Sequence, residues 1–415
     1  MKQEWLQKYR EVEEPEFNST VLTGFNANID IITDQKKNIQ KLEKVKAEKK
    51  EEINDKEDLL KSVKYCKENK TSYEAQLKYK PEIKGEKRLG GQAGIISNLE
   101  NRLGNTSIIY TPFLTEELSD LIDEEVLYPV KNDSFGLKPV KDSINSDRTK
   151  ENYIIEFKED NTRLILSGQL RGFEPFFRQS IAEKLDKAEQ EIDRIILSGF
   201  HDAEGNFETK LEKAEKQLKK IKTPKHLEYV STTTEKTKQI LNHIAPHFTS
   251  IGLDQQELQK IAEILGEPIS KDPTLQEAFK TAQKITKQLR IPRIHIHTKK
   301  YHTTITKDNY PFQKTEIQKA MLKASLTAAT AAQKGKTPQA QNIKLDTDQM
   351  HVKITKPLEK FQEKHKLENF VKTGTTELQN HKIIAIPPLI TEKPEKIVGL
   401  GDITSATAFT AEINK

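Results

Sequence analysis

The stretch Val398–Gly399–Leu400–Gly401–Asp402–Ile403–Thr404–Ser405 decides how this chain is read. A short apolar strand, Lys382–Ile386, comes before it, and a helix-compatible run, Ser405–Glu412, follows. Two glycines let the backbone turn tightly and present its N–H groups. The N-terminus of the following helix adds a partial positive charge, which makes the turn an anion site. Asp402 sits at the mouth of that site. A carboxylate there repels a phosphate, which points to a base acting on a hydroxyl. A helix-capping Asp is the competing reading.

Outward from this turn, strands and helices alternate. Thr20–Gly24 reads as a buried strand running into Gly24–Phe25–Asn26–Ala27–Asn28–Ile29–Asp30–Ile31, whose amides and carboxylate suit a polyhydroxy ligand or simply cap a strand end. Arg88–Leu99 is a Gly-rich turn opening a helix, without the lysine of a P-loop. Thr106–Thr111, Ile195–Phe200, His226–Val230, Ser250–Asp254 and Arg293–Thr298 are further strands, and Glu208–Ile221 is a helix between two of them. The alternation implies a mostly parallel sheet with helices on both faces, with ligands at the C-terminal strand ends. Tyr153–Phe157 and Arg163–Ser167, joined by the polar hairpin Lys158–Thr162, predict a separate small antiparallel sheet. Residues 35–64 read as a solvated helix pair, and Asn69–Ala75 as a loop.

Composition bounds the function. A chain of 415 residues exceeds one ordinary hydrophobic core, so two domains are expected. The 68 basic and 63 acidic residues are interspersed and leave a net charge of +5, which argues against nucleic acid as the partner. The single cysteine, Cys66, excludes an internal disulfide framework and fits a reducing cytoplasm. No apolar run suggests a membrane span or a signal peptide.

Other clusters carry chemistry. His226 and Glu228 share a strand face, and Asp254 and Glu257 open a helix; together they either organise a hydrated Mg²⁺ or serve as structural caps. Lys158, Arg163 and Arg171 gather around the small sheet, where they either contact a phosphate or stay solvated. His295 and His297 alternate on one strand with His302 behind. Their irregular spacing and the lack of cysteine argue against zinc and for a place near a nucleotide or a strand end.

The order Gly-Phe-Asn-Ala-Asn-Ile-Asp, Arg-Leu-Gly-Gly-Gln-Ala-Gly-Ile, Ile-Leu-Ser-Gly-Phe, His-Leu-Glu, His-Ile-His-Thr and Val-Gly-Leu-Gly-Asp resembles the ADP-dependent sugar kinases of archaea, glucokinases and phosphofructokinases of the ribokinase-like fold. The resemblance covers nearly the whole chain. It implies a large α/β domain over residues 1–32, 89–132 and 171–415, and a small β-sheet lid over 33–88 and 133–170. Asp402 is then the catalytic base, and Gly399, Leu400 and Gly401 form the anion hole at the nucleotide, with His297 nearby. Asn28, Asp30, Gly91 and Gln92 hold sugar hydroxyls, and Glu74 is a lid glutamate that favours glucose. His226 and Glu228 match a His-x-Glu motif tied to the metal. Asp254 and Glu257 fall where the family has Asn-x-x-Glu, so Asp254 is a departure. Arg163 matches a phosphate-touching basic residue, with Lys158 and Arg171 also available to a sugar phosphate. The implied reaction moves a phosphoryl group from ADP, with Mg²⁺, to fructose 6-phosphate or glucose, in a monomer. An ATP-dependent kinase of the same fold and a non-catalytic sensor are the alternatives.

Overall fold

The computed structural model describes residues 1–413 apart from 16, 36–44, 132–134, 161, 189–190, 354–355, 393 and 396–397. Among the described residues an eleven-stranded sheet runs in the order Thr375–Leu378, His381–Ile386, His302–Lys307, Arg293–His297, Ser250–Asp254, Lys225–Glu228, Arg194–Leu197, Thr20–Gly24, Thr106–Tyr110, Leu127–Lys131 and Phe135–Pro139. Its centre is parallel from Arg293–His297 through to Leu127–Lys131, and both edges turn antiparallel. Central strands such as Arg194–Leu197 and Lys225–Glu228 are buried along their whole length, as a sheet covered on both faces requires.

Alternate residues feed two separate cores. Leu22, Ile195 and Leu197 pack with Leu211, Ile240 and Leu258 on one face, while Val21 and Ile196 pack with Ile96, Ile317, Met321 and Phe409 on the other. The second face carries the helices Gln92–Leu103, Lys314–Lys334 and Leu400–Thr410. The last of these is buried from Ile403 to Thr410, so its N-terminus is held firmly against the sheet ends. No described helix is long and apolar enough to cross a membrane.

A second sheet of six strands has the order Glu52–Ile53, Tyr73–Leu77, Thr162–Ser167, Glu151–Phe157, Asn28–Asp34, Glu86–Gly90. Ile31, Ala75, Leu77, Tyr153, Ile155 and Leu164 form a common core with Leu59, Val63 and Cys66 of the helix Lys56–Asn69. Strand alternation therefore sends Asp30, Glu74, Asn152, Glu156 and Arg163 to the opposite, polar face. A third, two-stranded sheet joins Met350–Val352 to Leu389–Thr391.

Several expectations differ from this arrangement. Asn69–Ala75 is not a loop throughout: Tyr73–Leu77 is a strand with Ala75 and Leu77 buried and Glu74 and Gln76 exposed, a period of two partly masked by the polar residues before it. Lys56–Asn69 is amphipathic and not simply solvated, because Leu59, Val63 and Cys66 cover the smaller sheet; residues 36–44 lie outside the described set. Asn28–Asp34 already belongs to the smaller sheet, while Phe135–Pro139 pairs in the larger one, so the chain crosses between sheets before residue 32 and after residue 133. The smaller sheet is also mixed, since Thr162–Ser167 pairs parallel with Tyr73–Leu77.

Candidate active site

Gly399 occupies the cap position of the helix Leu400–Thr410, with φ of 75° and no side-chain cap. Asp402 is thus not the helix cap. It stands in the first turn, with Oδ2 3.7 Å from the point where a Cβ on Gly399 would be. The first helical bond back across the turn runs from Ile403 N–H to Gly399 O, at 3.1 Å, so the preceding N–H groups face outward along the axis. Gly401 is small for a different reason: a Cβ there would lie 2.7 Å from His297 Nε2. His297, expected at the nucleotide, therefore packs directly against the turn.

Behind the turn lie three acids, Glu228, Asp254 and Glu257. Glu228 is buried, and burial followed by the neighbouring Asp402 pushes its carboxyl well above the usual range. Glu257 is pushed up in the same way by burial, then by Asp254, with Glu228 and Asp402 adding to the effect. Asp254 and Glu257 also form a reciprocal capping box, Glu257 N–H to Asp254 Oδ1 and Asp254 N–H to Glu257 Oε2, both 2.8 Å. So the metal and capping readings are compatible: each carboxylate spends one oxygen on the helix and keeps one. His226 is different. Its Nδ1 meets Ser250 Oγ at 2.7 Å, and its Nε2 meets Glu228 Oε2 and Ser405 Oγ, each at 3.0 Å. Both nitrogens are engaged, which places it behind Glu228 and not on an ion. Among the described residues no three of His, Cys, Asp and Glu converge closely enough to hold an ion by themselves.

The strand Asn28–Asp34 supplies a second polar centre. Asn28 Nδ2 and Asn152 Nδ2 donate to Asp30 Oδ1 at 2.6 and 3.1 Å. Burial raises the Asp30 carboxyl to about 6 against these donors, with Lys150 pulling it down and Glu74 pushing it up. Asn26, one turn earlier, accepts from Ser198 Oγ and Ala93 N–H and donates to Gln92 Oε1. Gly91 lets Asn26 O approach, since a Cβ there would be 2.4 Å from it. The helix opened by Gln92 reaches the Asp402 turn through Ile95, 3.3 Å from the missing Gly399 Cβ. The helix Gln92–Leu103 thus links the Asp30 cluster, through Asn26 and Gln92, to the Asp402 turn, through Ile95.

The conserved-region model for ADP-specific phosphofructokinase/glucokinase matches residues 19–411. The chain belongs to the ADP-specific phosphofructokinase/glucokinase family. It is 29% identical to an ADP-dependent glucose/glucosamine kinase of Pyrococcus furiosus over 79% of this chain and 76% of that one. It is 27% identical to an ADP-specific phosphofructokinase of Pyrococcus abyssi over 79% and 78%. A solved ADP-dependent kinase in complex with fructose 6-phosphate and ADPβS superposes with a TM-score of 0.83 at 25% identity, covering 99% of this chain and 96% of that one. The fold is accordingly the ribokinase-like α/β fold expected from the sequence.

Within this family member the basic candidates separate. Arg163 lies on the polar face of the smaller sheet, close enough for Asp30 and Glu156 to act on its charge. Burial, the larger influence, lowers its guanidinium. Lys158 is 69% exposed, 3.8 Å from Asp34, at the far end of the same sheet. Arg171 lies beyond the end of Thr162–Ser167 in a hollow of about 330 Å³ with Lys80, Glu151 and Tyr153. The structure therefore brings Arg163 toward Asp30 and leaves Lys158 and Arg171 apart from it. Sequence reasoning missed Asn152 and the pair Lys150–Asp202, whose 2.8 Å contact is largely buried. Burial alone raises Asp202, yet His201 and Lys150 overcome it and hold the carboxyl low. Only the register Asp30↔Asn152 reveals these neighbours.

Proposed function

We propose that this chain transfers the β-phosphoryl group of ADP to a hexose hydroxyl, most readily that of fructose 6-phosphate, giving fructose 1,6-bisphosphate, AMP and a proton. The observation that carries this reading is the placement of Asp402 in the half-buried first turn of the helix Leu400–Thr410, linked through the helix Gln92–Leu103 to the Asp30 cluster. Asp30, Asn28 and Gln92 orient the sugar hydroxyls. Asp402 takes the proton of the attacking hydroxyl as the new bond to phosphorus forms. Outward N–H groups at Gly399–Gly401 neutralise charge on the transferred phosphoryl group. Positioning supplies most of the barrier reduction in such a reaction. The smaller sheet acts as a lid whose polar face excludes water. Arg163 on that face is the basic group best placed for a sugar phosphate. Glucose as a second acceptor is favoured by Glu74, which acts electrostatically on both Asp30 and His201.

Mg²⁺ fits the acids behind the turn, because Glu228 and Glu257 are raised first by burial and then by acidic neighbours, an excess of negative charge that the more distant Arg293 only partly offsets at Glu228. Glu228, Glu257 and Asp254 would hold it through its waters, and it would supply charge neutralisation at the phosphates. The enzyme works as a cytoplasmic monomer; its one cysteine, Cys66, is buried and unpaired. The test crosses ADP and ATP with glucose and fructose 6-phosphate and follows sugar phosphate formed. Faster turnover with purified ATP than with ADP overturns the donor assignment.

A further inference from the structure

A line of hydrogen bonds passes behind the acids across three neighbouring strands. Ser250 pairs in register with His226 on one side and with Arg293 on the other. Arg293 is wholly buried, and its guanidinium donates in three directions: Nε to Glu412 Oε1 at 2.7 Å, Nη2 to Ala408 O at 2.9 Å and Nη1 to Ser250 Oγ at 2.8 Å. Glu412 is itself held by Tyr310 Oη at 2.7 Å. Ala408 belongs to the same helix whose N-terminus forms the Asp402 turn.

The donor inventory of these groups fixes the protons. A guanidinium only donates, so Ser250 Oγ accepts from Arg293. The one hydroxyl hydrogen of Ser250 then has a single partner in place, His226 Nδ1, at 2.7 Å. An imidazole that accepts at Nδ1 carries its proton on Nε2. That N–H faces Glu228 Oε2 and Ser405 Oγ. The opposite tautomer would leave the Ser250 hydroxyl as a buried donor without an acceptor among the described residues, an unmet hydrogen bond that disfavours it. A doubly protonated ring would leave the Ser250 hydrogen without an acceptor in the same way, so the geometry favours the neutral form.

The geometry points to Arg293 and Ser250 as positioning residues for phosphoryl transfer: they hold His226 as the Nε2–H tautomer, and that N–H fixes Glu228 as a carboxylate aimed beside Asp402. His226 is then a support for the metal-facing acid and not a ligand. The consequence for Glu228 rests on the Mg²⁺ reading above, whereas the tautomer does not.

The test is ¹⁵N NMR of histidine-labelled full-length protein, with the His226 signal identified by its loss in His226→Gln. The expected result is a protonated Nε2 and an unprotonated, hydrogen-bonded Nδ1; a protonated Nδ1 overturns the proposal. The tautomer itself is read on the parent protein, and His226→Gln serves only to identify the signal. Ser250→Ala should abolish the hydrogen-bond shift at Nδ1 and weaken Mn²⁺ binding, measured without turnover, by about 10–100-fold, as losing a supporting partner does. Unchanged Mn²⁺ affinity in Ser250→Ala refutes the support of Glu228. Absence of Mn²⁺ binding in the parent refutes the metal reading, and with it the role given to Glu228, while the tautomer is still decided by its own signal.

Discussion

Replacing Gly252 by Ala adds one methyl group at the centre of the acid cluster. Built on the present backbone, its Cβ would lie 2.0 Å from Ser405 Oγ, 2.8 Å from Glu228 Oε2 and 2.9 Å from His226 Nε2. Ordinary van der Waals contact begins near 3.4 Å. Ser405 must therefore retreat by more than 1 Å or turn away, and Glu228 and His226 must each give by several tenths of an ångström. Ser405 can rotate, but its hydroxyl then loses the 3.0 Å contact with His226. Overpacking of this kind costs about 1–3 kcal/mol of stability. A displacement of about 1 Å at positioned groups costs roughly 10²-fold in rate. The sugar cluster at Asp30 lies on another sheet and should be untouched. Gly252→Ala should thus lower kcat with ADP by about 10²-fold while KM for fructose 6-phosphate stays within about twofold, and Mg²⁺ dependence should shift upward. Steady-state kinetics on folded protein, checked by thermal melting, decides it. A variant with parental kcat and a parental Mg²⁺ titration would show that Glu228 and Ser405 do not act in phosphoryl transfer.

Asp402→Asn keeps shape but cannot accept the proton, so kcat should fall about 10²–10⁴-fold with ADP and sugar binding retained; near-parental turnover would reduce Asp402 to a structural role. Glu74→Ala should lower kcat/KM for glucose and spare fructose 6-phosphate, and Arg163→Ala should do the reverse, about ten- to a hundredfold for a charged hydrogen bond worth roughly 1.5–3 kcal/mol. Lys158→Ala, at an exposed site with a 3.8 Å surface pair, should change neither, and any selective loss would show that the lid moves Lys158 onto the sugar. Asp30 titrates near 6, raised by burial above its unfolded value near 3.9. The folded state therefore binds the extra proton between about pH 4 and 6, so acidification through that window should favour folding through this group. Sugar affinity should instead fall below pH 6 as the acceptor carboxylate is lost, and Asp30→Asn should flatten the profile seen by calorimetry.

The glycine turn was legible because one short segment holds all its parts: strand, Gly399, Gly401, Asp402 and helix. Asp30 and Asn28 were legible for the same reason. What sequence alone hid depends on neighbours across strands. Lys150 and Asn152 sit more than a hundred residues from Asp30 and become its partners only through strand register. Lys158 and Arg171 flank Arg163 along the chain, yet a hairpin and a strand end carry them away from Asp30. Ser250 and Arg293 look like ordinary strand residues until the parallel order sets them beside His226. Glu74 was assigned its role but not its element, because the alternation begins only at Tyr73, after a polar run.

The position of Asn26 shows why two sheets can serve one reaction. The chain leaves the larger sheet at Gly24 and enters the smaller one at Asn28, so residues 25–27 form the bridge between them. Asn26 ties that bridge to the larger sheet through Ser198 and to the helix Gln92–Leu103 through Gln92 and Ala93. The return strand, Glu86–Gly90, enters the same helix directly. Two of the four crossings among the described residues thus end on the helix whose Ile95 touches Gly399. If the smaller sheet closes about these two crossings, as the lid proposed above would, Asp30 on the strand Asn28–Asp34 lies next to the pivot and moves least, while Glu74 and Arg163, on strands farther across the sheet, travel more. On the proposed function, Asp30 would therefore stay in register with the Asp402 turn, and Glu74 and Arg163, the residues proposed to distinguish one sugar from another, would arrive with closure.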